Sequence, residues 1–269
     1  MPKKRLDVLL VERGLADSRS LAQRLVMAGQ VRVGGQVALK PSQEIAQEAL
    51  VEVERGPRYV SRGGEKLAAA LAAFRIDVHD KVCADVGAST GGFSDCLLQN
   101  GARRVYAIDV GKGQLHWKLR QDERVVVMED TNARFLAHLP ERVDIATIDA
   151  SFISLRLLLP AVKGWLAAAG EAENATGQVL ALVKPQFEAG RELAARGAGV
   201  IRDAQDHRRI LAEVLGFSQA AGFTVNGLLR SPLLGPKGNV EFLAWLTLGQ
   251  EAEGQASEDL LNSLFDLQS

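Results

Sequence analysis

Polar residues recur where the apolar runs of this chain stop. Asp85 follows Val82-Cys83-Ala84, and Asp109 closes the run 104–109. Asp130 follows 125–128, Asp149 closes 143–149, and Lys184 follows 178–183. In an open α/β sheet, ligands bind outside the carboxyl ends of the strands. A ligand site needs polar side chains there, whereas stability does not. Directly after Asp85 comes Val86-Gly87-Ala88-Ser89-Thr90-Gly91-Gly92-Phe93, a glycine-rich turn leading into a helical pattern. Glycines there permit positive φ and close backbone approach, and the helix start aims N–H groups at whatever sits above. The spacing fails the dinucleotide pattern G-x-G-x-x-G, and Asp85 would sit badly beside a pyrophosphate. A ligand with a cationic or amino end and no phosphate suits the loop, and S-adenosylmethionine is such a ligand. The candidate cofactor contacts are Asp85, Gly87, Ser89, Gly91, Gly92 and Phe93. Asp109 is placed to take two ribose hydroxyls, and Asp130 an adenine amino group with Thr131 or Asn132 beside it. Any one of these acids could equally be a helix N-cap; as a set they describe a site.

Asp149 and Lys184 call for other chemistry. The segment Thr147-Ile148-Asp149-Ala150-Ser151-Phe152 lacks the Pro-Pro-aromatic sequence of enzymes that methylate base amines. Carbon-methylating enzymes use a cysteine near this place, and Cys83 and Cys96 lie elsewhere. What remains is an acid and a lysine at adjacent strand ends. An amine can deprotonate or stabilise an alcohol, and a carboxylate can hold that amine.

Strands at 82–86, 104–109, 125–128, 143–149 and 178–183 alternate with helices near 93–100, 114–120, 154–169 and 204–221. This pattern predicts a doubly wound, mainly parallel Rossmann-like α/β sheet. Two last strands, near 223–230 and 239–248, predict a hairpin adding an antiparallel edge. An alanine-rich helix near 65–74 carries Lys66 in its first turn, where a cation opposes the helix dipole and needs another reason to be there.

The chain has 269 residues and a formal net charge of −1, so total charge selects no partner. Its distribution is uneven: residues 1–66 hold 12 Lys and Arg against 8 Asp and Glu, while the whole chain holds 32 against 33. A basic N-terminal module fits a nucleic-acid-binding appendage, although a solvated charged face would look the same. The two cysteines form no C-x-x-C pair, which argues against zinc and fits a reducing cytoplasm. The start MPKKRLDVLLVERG has no apolar core of a secretory signal, and no apolar run reaches the ~18 residues of a membrane span.

Helices at 6–13 and 18–27, then short strands around Gly34-Gly35 and at 50–53, give a compact α+β module rich in arginine. It resembles the small RNA-binding domain named after the fourth small-subunit ribosomal protein, through Arg5-Leu6-Asp7, Ser18-Arg19-Ser20, Ala28-Gly29-Gln30-Val31 and Val33-Gly34-Gly35. The resemblance implies that Lys3, Lys4, Arg5, Arg19, Arg24 and Arg32 contact RNA phosphates, which position a partner without reading sequence. Arg62, in the Gly- and Arg-rich segment that follows, joins that set.

Lys66, Asp149, Lys184 and Glu241 match, in order and context, the Lys–Asp–Lys–Glu tetrad of the FtsJ-like ribose 2′-O-methyltransferases. Lys66 lies in Arg62-Gly63-Gly64-Glu65-Lys66-Leu67, Lys184 in Leu182-Val183-Lys184-Pro185-Gln186-Phe187, and Glu241 in Gly238-Asn239-Val240-Glu241-Phe242. With its N-terminal module, the chain over residues 3–248 resembles the TlyA family, ribosomal RNA cytidine 2′-O-methyltransferases also known as haemolysins. The resemblance implies in-line transfer without a metal. Lys184 would accept the hydroxyl proton, helped by the positive charge of Lys66; Asp149 would orient Lys184, and Glu241 would hold both lysines. Residues 1–56 would form the RNA-binding domain, 57–64 a linker, 65–249 the methyltransferase domain and 250–269 a weakly ordered acidic tail. Phe152, Phe187, Arg191, Arg196 and Arg202 are candidates for an RNA-facing rim, with local unpairing bringing the 2′-hydroxyl in. Two rivals predict otherwise: a pore-forming haemolysin needs a membrane-inserting segment, and a non-catalytic RNA-binding protein needs no tetrad.

Overall fold

In a computed structural model, residues 2–54, 56–166, 177–190, 199–249 and 257–266 are described. They fall into two compact units, Met1–Arg58 and Tyr59–Ser269.

The first unit runs β1 (Lys3–Arg5), α1 (Leu6–Glu12), α2 (Arg19–Met27), β2 (Val31–Val33), β3 (Gln36–Val37), β4 (Glu44–Ala46) and β5 (Val51–Val53). Ser18 caps α2 by accepting a hydrogen bond from Leu21 N at 3.2 Å, as its residue type predicts. Strand β2 pairs antiparallel with β3 across the Gly34-Gly35 turn and with β5. A second ladder, β1 with β4, is not visible in the sequence pattern because each strand has only 3 residues. Leu6, Leu9, Leu10, Ala22, Val26, Val31, Ile45 and Val51 form the core.

The second unit runs α3 (Gly63–Phe74), β6 (Val82–Val86), α4 (Gly92–Gln99), β7 (Arg104–Ile108), α5 (Trp117–Arg120), β8 (Val125–Met128), β9 (Ile145–Ile148), α6 (Leu155–Trp165), β10 (Gln178–Val183), α7 (Pro185–Glu188), α8 (Ala204–Ala220), β11 (Phe223–Arg230), β12 (Phe242–Leu248) and α9 (Ser257–Asp266). Seven strands form one sheet in the order β11-β12-β10-β9-β6-β7-β8. The strands β10, β9, β6, β7 and β8 are mutually parallel. The predicted hairpin forms, but β12 docks on β10 and leaves β11 as the rim. The reversed strand is therefore one in from the edge.

Strand side chains alternate between the two faces. Val82, Ala84 and Val86 join Ile108, Ile148 and Val183 under α6, α8 and α9. Cys83, Val105, Ile145 and Leu182 face Leu67 and Leu71 of α3 and Cys96 and Leu97 of α4. With both faces covered, the parallel strands are near-continuously apolar. The chain leaves β6 toward β7 and later returns to β9 on the other side of β6, so the topological switch point lies between β6 and β9.

Two boundary expectations need correction. The linker 57–64 is not free along its length: Tyr59 is buried, Val60 N donates to Asp95 Oδ2 at 2.9 Å, and α3 begins at Gly63. The tail expected to be weakly ordered contains α9, whose Leu260 and Leu261 are buried on the sheet's α8 side. The amphipathic spacing of Leu260, Leu261, Leu264 and Phe265 is visible in the sequence, but the face they bind is not.

Candidate active site

The backbone beyond β6 turns on Gly87, at φ 82°. Gly87 N and Ala88 N both donate to Ile108 O, at 2.9 and 3.1 Å, which folds the turn back over β7. A Cβ on Gly87 would lie 2.7 Å from Asp149 O, so only glycine lets the β6 and β9 ends approach this closely. Gly92 is equally confined, with Ser61 Oγ 2.3 Å and Gly64 N 2.9 Å from the position of its missing Cβ. The helix start of α4 is thus packed against the segment leading into α3.

Two adjoining cavities open over these strand ends. One, of about 380 Å³, is lined by Val86, Ile108, Val110, Ala133, Ile153 and Leu158, with Asp109, Gln114, Thr131 and Asn132 as polar members. No Lys or Arg is among its lining residues. The other, of about 330 Å³, is lined by Ser61, Arg62, Lys66, Phe93, Lys184, Pro236 and Glu241 among others. Gly87, Ser89, Asp149 and Ser151 line both. The cleft therefore has a mostly apolar, uncharged-to-acidic chamber and a chamber of paired charges, meeting at Asp149.

In the first chamber, Asp109 Oδ2 accepts from Ser89 N at 2.8 Å and its Oδ1 from Gly111 N at 2.7 Å. This carboxylate is fixed by backbone donors and keeps lone pairs for hydroxyl groups. Thr131 and Asn132 line the wall, whereas Asp130, at φ 54°, is exposed and is not a lining residue. Gly91 backs onto Leu115 and Leu119 instead of facing the cleft.

Asp85 is also withdrawn from the cleft. It is fully buried, accepting from Ser94 Oγ at 2.7 Å and Thr147 Oγ1 at 3.1 Å. Strand β6 ends at Val86 as expected, but neighbouring side chains face opposite ways, so Val86 reaches the cleft and Asp85 points toward Ser94 of α4. Burial pushes its carboxyl up to about 7, against the two hydroxyl donors and with the charge of Asp149 adding to the rise. The unfolded group titrates near 3.8. Between those values the folded state holds a proton that the unfolded state has lost, so stability falls as pH rises from about 4 to about 7. Asp85→Asn removes that loss. Chemical denaturation at pH 5 and pH 8 is expected to show the variant gaining on the parent by about 2 kcal/mol more at pH 8, within the ~4 kcal/mol that a shift of this size allows. Equal differences at both pH values would overturn this account of Asp85.

The second chamber holds two ion pairs. Lys66 Nζ lies 2.5 Å from Glu241 Oε2, with side-chain exposures of 9% and 0%. This explains a lysine in the first turn of α3: its partner carboxylate outweighs the helix dipole. Lys184 Nζ lies 2.6 Å from Asp149 Oδ1 and 3.0 Å from Ser151 Oγ. Each lysine has its own acid, so Glu241 holds Lys66 and not both lysines. The charge of Lys66 is matched locally, which removes the help it was expected to give Lys184. Glu241 reaches this edge because β12 runs backwards: Val183 pairs with Phe242, and the next residues outward are Lys184 and Glu241.

Sequence reasoning missed Ser151, Gln114 and the Asp95 carboxylate that receives Val60 N. Of these only Ser151 carried a signal, its place two residues after Asp149. Of the expected RNA-contacting residues, Arg5 and Arg19 converge on buried Asp7, which also accepts from Gln23. The Arg5 hydrogen bonds lead in holding the Asp7 carboxyl well below the usual range. Lys4 pairs with Glu12, and Arg32 with Glu54. Among the described residues, Lys3 and Arg24 have no acidic partner. Arg62 is exposed at the chamber of paired charges. Arg202 is exposed, while Arg191 and Arg196 lie outside the described residues. Among the described residues no helix is long and apolar enough to cross a membrane.

Known proteins share this architecture. The FtsJ-like methyltransferase family matches residues 59–248, and the S4 domain matches residues 4–51. YqxC of Bacillus subtilis is 48% identical over 96% of this chain and 92% of its own. The 16S/23S rRNA (cytidine-2′-O)-methyltransferase TlyA of Mycobacterium tuberculosis is 47% identical over 91% of this chain and 90% of its own. A solved hemolysin-named structure from Streptococcus thermophilus is 45% identical, superposes with a TM-score of 0.69, and covers 98% of this chain and 96% of that one. An S4 domain followed by an FtsJ-like methyltransferase domain, with this identity along nearly the whole chain, makes the protein a member of the TlyA family.

Proposed function

We propose that the chain transfers a methyl group from S-adenosylmethionine to the ribose 2′-hydroxyl of a cytidine in ribosomal RNA. The observation that carries this reading is the Lys184 amine, fixed by Asp149 at 2.6 Å where a catalytic chamber joins a second, uncharged-to-acidic one. The cytidine and the ribosomal RNA are argued from the curated TlyA relative.

The first chamber fits the adenosyl cofactor. Its apolar walls suit a flat heterocycle, Asp109 suits a pair of ribose hydroxyls, and the lack of Lys and Arg in its lining disfavours a phosphate. Gly87, Ser89, Asp109, Thr131 and Asn132 would hold the nucleoside, with Gly92 and Phe93 below the amino-acid end. When bound, S-adenosylmethionine supplies an electrophilic methyl group. Lys184 receives the hydroxyl proton at Nζ or stabilises the developing charge on the 2′-oxygen. Asp149 orients that amine, and Glu241 keeps Lys66 in place at the chamber wall. Phe152 is 91% exposed and lies against Phe187 with ring centroids 5.0 Å apart, a surface on which an unpaired base can stack.

The N-terminal unit supplies RNA affinity. Arg24→Ala is expected to weaken binding to ribosomal RNA several-fold and to reduce the slope of log affinity against log salt by about 1. Filter binding at several salt concentrations measures both; an unchanged slope would remove Arg24 from the interface. A cytoplasmic location follows from the proposed substrate.

The direct test is tritium transfer from labelled S-adenosylmethionine to isolated ribosomal subunits, followed by nucleoside analysis. The expected product is 2′-O-methylcytidine. Label in a base would reject ribose methylation, and no label in either subunit would reject ribosomal RNA as substrate.

A further inference from the structure

Lys184 has a second holder besides its acid. Its Nζ donates to Ser151 Oγ at 3.0 Å as well as pairing with Asp149 Oδ1 at 2.6 Å. Ser151 lines both chambers, and Lys184 is 8% exposed, so the hydroxyl stands where the buried amine meets the cleft. We propose that Ser151 is a positioning residue that fixes the direction of the Lys184 lone pair toward the acceptor hydroxyl. This rests on the reading of Lys184 as the group that takes the 2′-hydroxyl proton.

The argument is tetrahedral geometry. A neutral amine has two N–H bonds and one lone pair besides its bond to Cε. If Asp149 alone held it, one N–H would be fixed and the lone pair could turn to either remaining direction. With Asp149 and Ser151 accepting one N–H each, only one direction is left, and it belongs to the lone pair. After transfer of the hydroxyl proton that same direction carries the third N–H, which faces the new ether oxygen. The bonds balance: the 2′-O–H bond breaks as N–H forms, and the carbon–sulfur bond breaks as carbon–oxygen forms. Ser151 stays a hydrogen-bond acceptor throughout and exchanges no proton with Lys184.

The backbone supports the placement. Phe152, directly after Ser151, holds φ 64°, a conformation that costs a bulky residue free energy and persists only where neighbours impose it. Asp149 N donates to Val86 O at 2.9 Å, and Ser154 Oγ donates to Glu188 Oε2 at 2.6 Å. The turn between them is thus anchored at both ends, and Ser151 is carried on it.

Ser151→Ala is expected to lower kcat about 10-fold, the loss of one hydrogen bond to a charged or reacting group. The KM values for cofactor and RNA should stay within about twofold. Ser151→Thr, which keeps the hydroxyl, should recover most of kcat. Parent-like kcat in Ser151→Ala, or a loss confined to KM, would overturn the proposal, as would an equal loss in Ser151→Thr with the same thermal midpoint. A second measurement does not depend on turnover: in ¹⁵N-lysine-labelled protein, the Lys184 Nζ proton signal should persist in the parent and broaden by faster exchange in Ser151→Ala. If the parent methylates no ribose, the functional reading fails, yet this signal still decides whether Ser151 holds the amine; an unchanged signal overturns it.

Discussion

Lys184→Ala is expected to reduce methyl transfer at least ~10³-fold while leaving S-adenosylmethionine affinity within about twofold. Proton transfer by a positioned group is typically worth ~10²–10⁴-fold, and alanine also removes the donor that faces the product oxygen. The proposed cofactor chamber does not include Lys184 among its lining residues, and Asp109 is held by backbone donors that the substitution leaves alone. Single-turnover tritium transfer and isothermal titration on one preparation separate the two effects. A variant that loses cofactor affinity in step with activity would make Lys184 a structural support of the cleft.

Gly87→Val is expected to lower cofactor affinity at least ~100-fold and to destabilise the methyltransferase unit by about 3 kcal/mol. Two costs combine. A β-branched residue at φ 82° is strained, at about 1–3 kcal/mol. Its Cβ would also fall 2.7 Å from Asp149 O and 3.0 Å from the Ala150 backbone, where no flexible side chain can give way. Relief requires the β6 and β9 ends to separate, which pulls apart the shared wall of the two chambers. Titration calorimetry and urea denaturation measure the outcomes. Parent-like affinity in a folded variant would mean that the cleft tolerates that separation and that Gly87 is not its hinge point.

Three of the four proposed catalytic residues were legible because their types are unusual for their places. Lys66 opposes a helix dipole, and Asp149 and Lys184 end apolar strands. Glu241 was legible only by resemblance, since pattern alone makes it a charge on an edge strand; the reversed strand order that buries it is a property of the assembled sheet. Asp85 shows the limit in the other direction. The end of β6 was read correctly, yet strands alternate with period 2, so of two neighbours only one faces the cleft, and it is the apolar Val86. Polarity was taken as the guide to facing, which placed in the cleft a carboxylate that the structure buries against Ser94 and Thr147. Likewise the apolar stripe of α9 was present in the sequence, but its host surface was not. Which arginines of the first unit are free and which are tied to Asp7, Glu12 or Glu54 depends on neighbours across the fold that no local spacing encodes.

The Lys66–Glu241 pair joins residues 175 positions apart. Closing so long a loop has an entropic cost that must be met before the contact gives anything back, and contacts of high sequence separation form late. Until β12 slots in beside β10, Lys66 has no counter-charge, and burying an unpaired ammonium costs several kcal/mol. The chamber of paired charges is therefore the last part of the sheet to become habitable, whereas β6, β7, β8 and β9, whose ends line the proposed adenosyl chamber, follow one another in sequence. A chain recovering from denaturant should learn to hold its methyl donor before it learns to spend it.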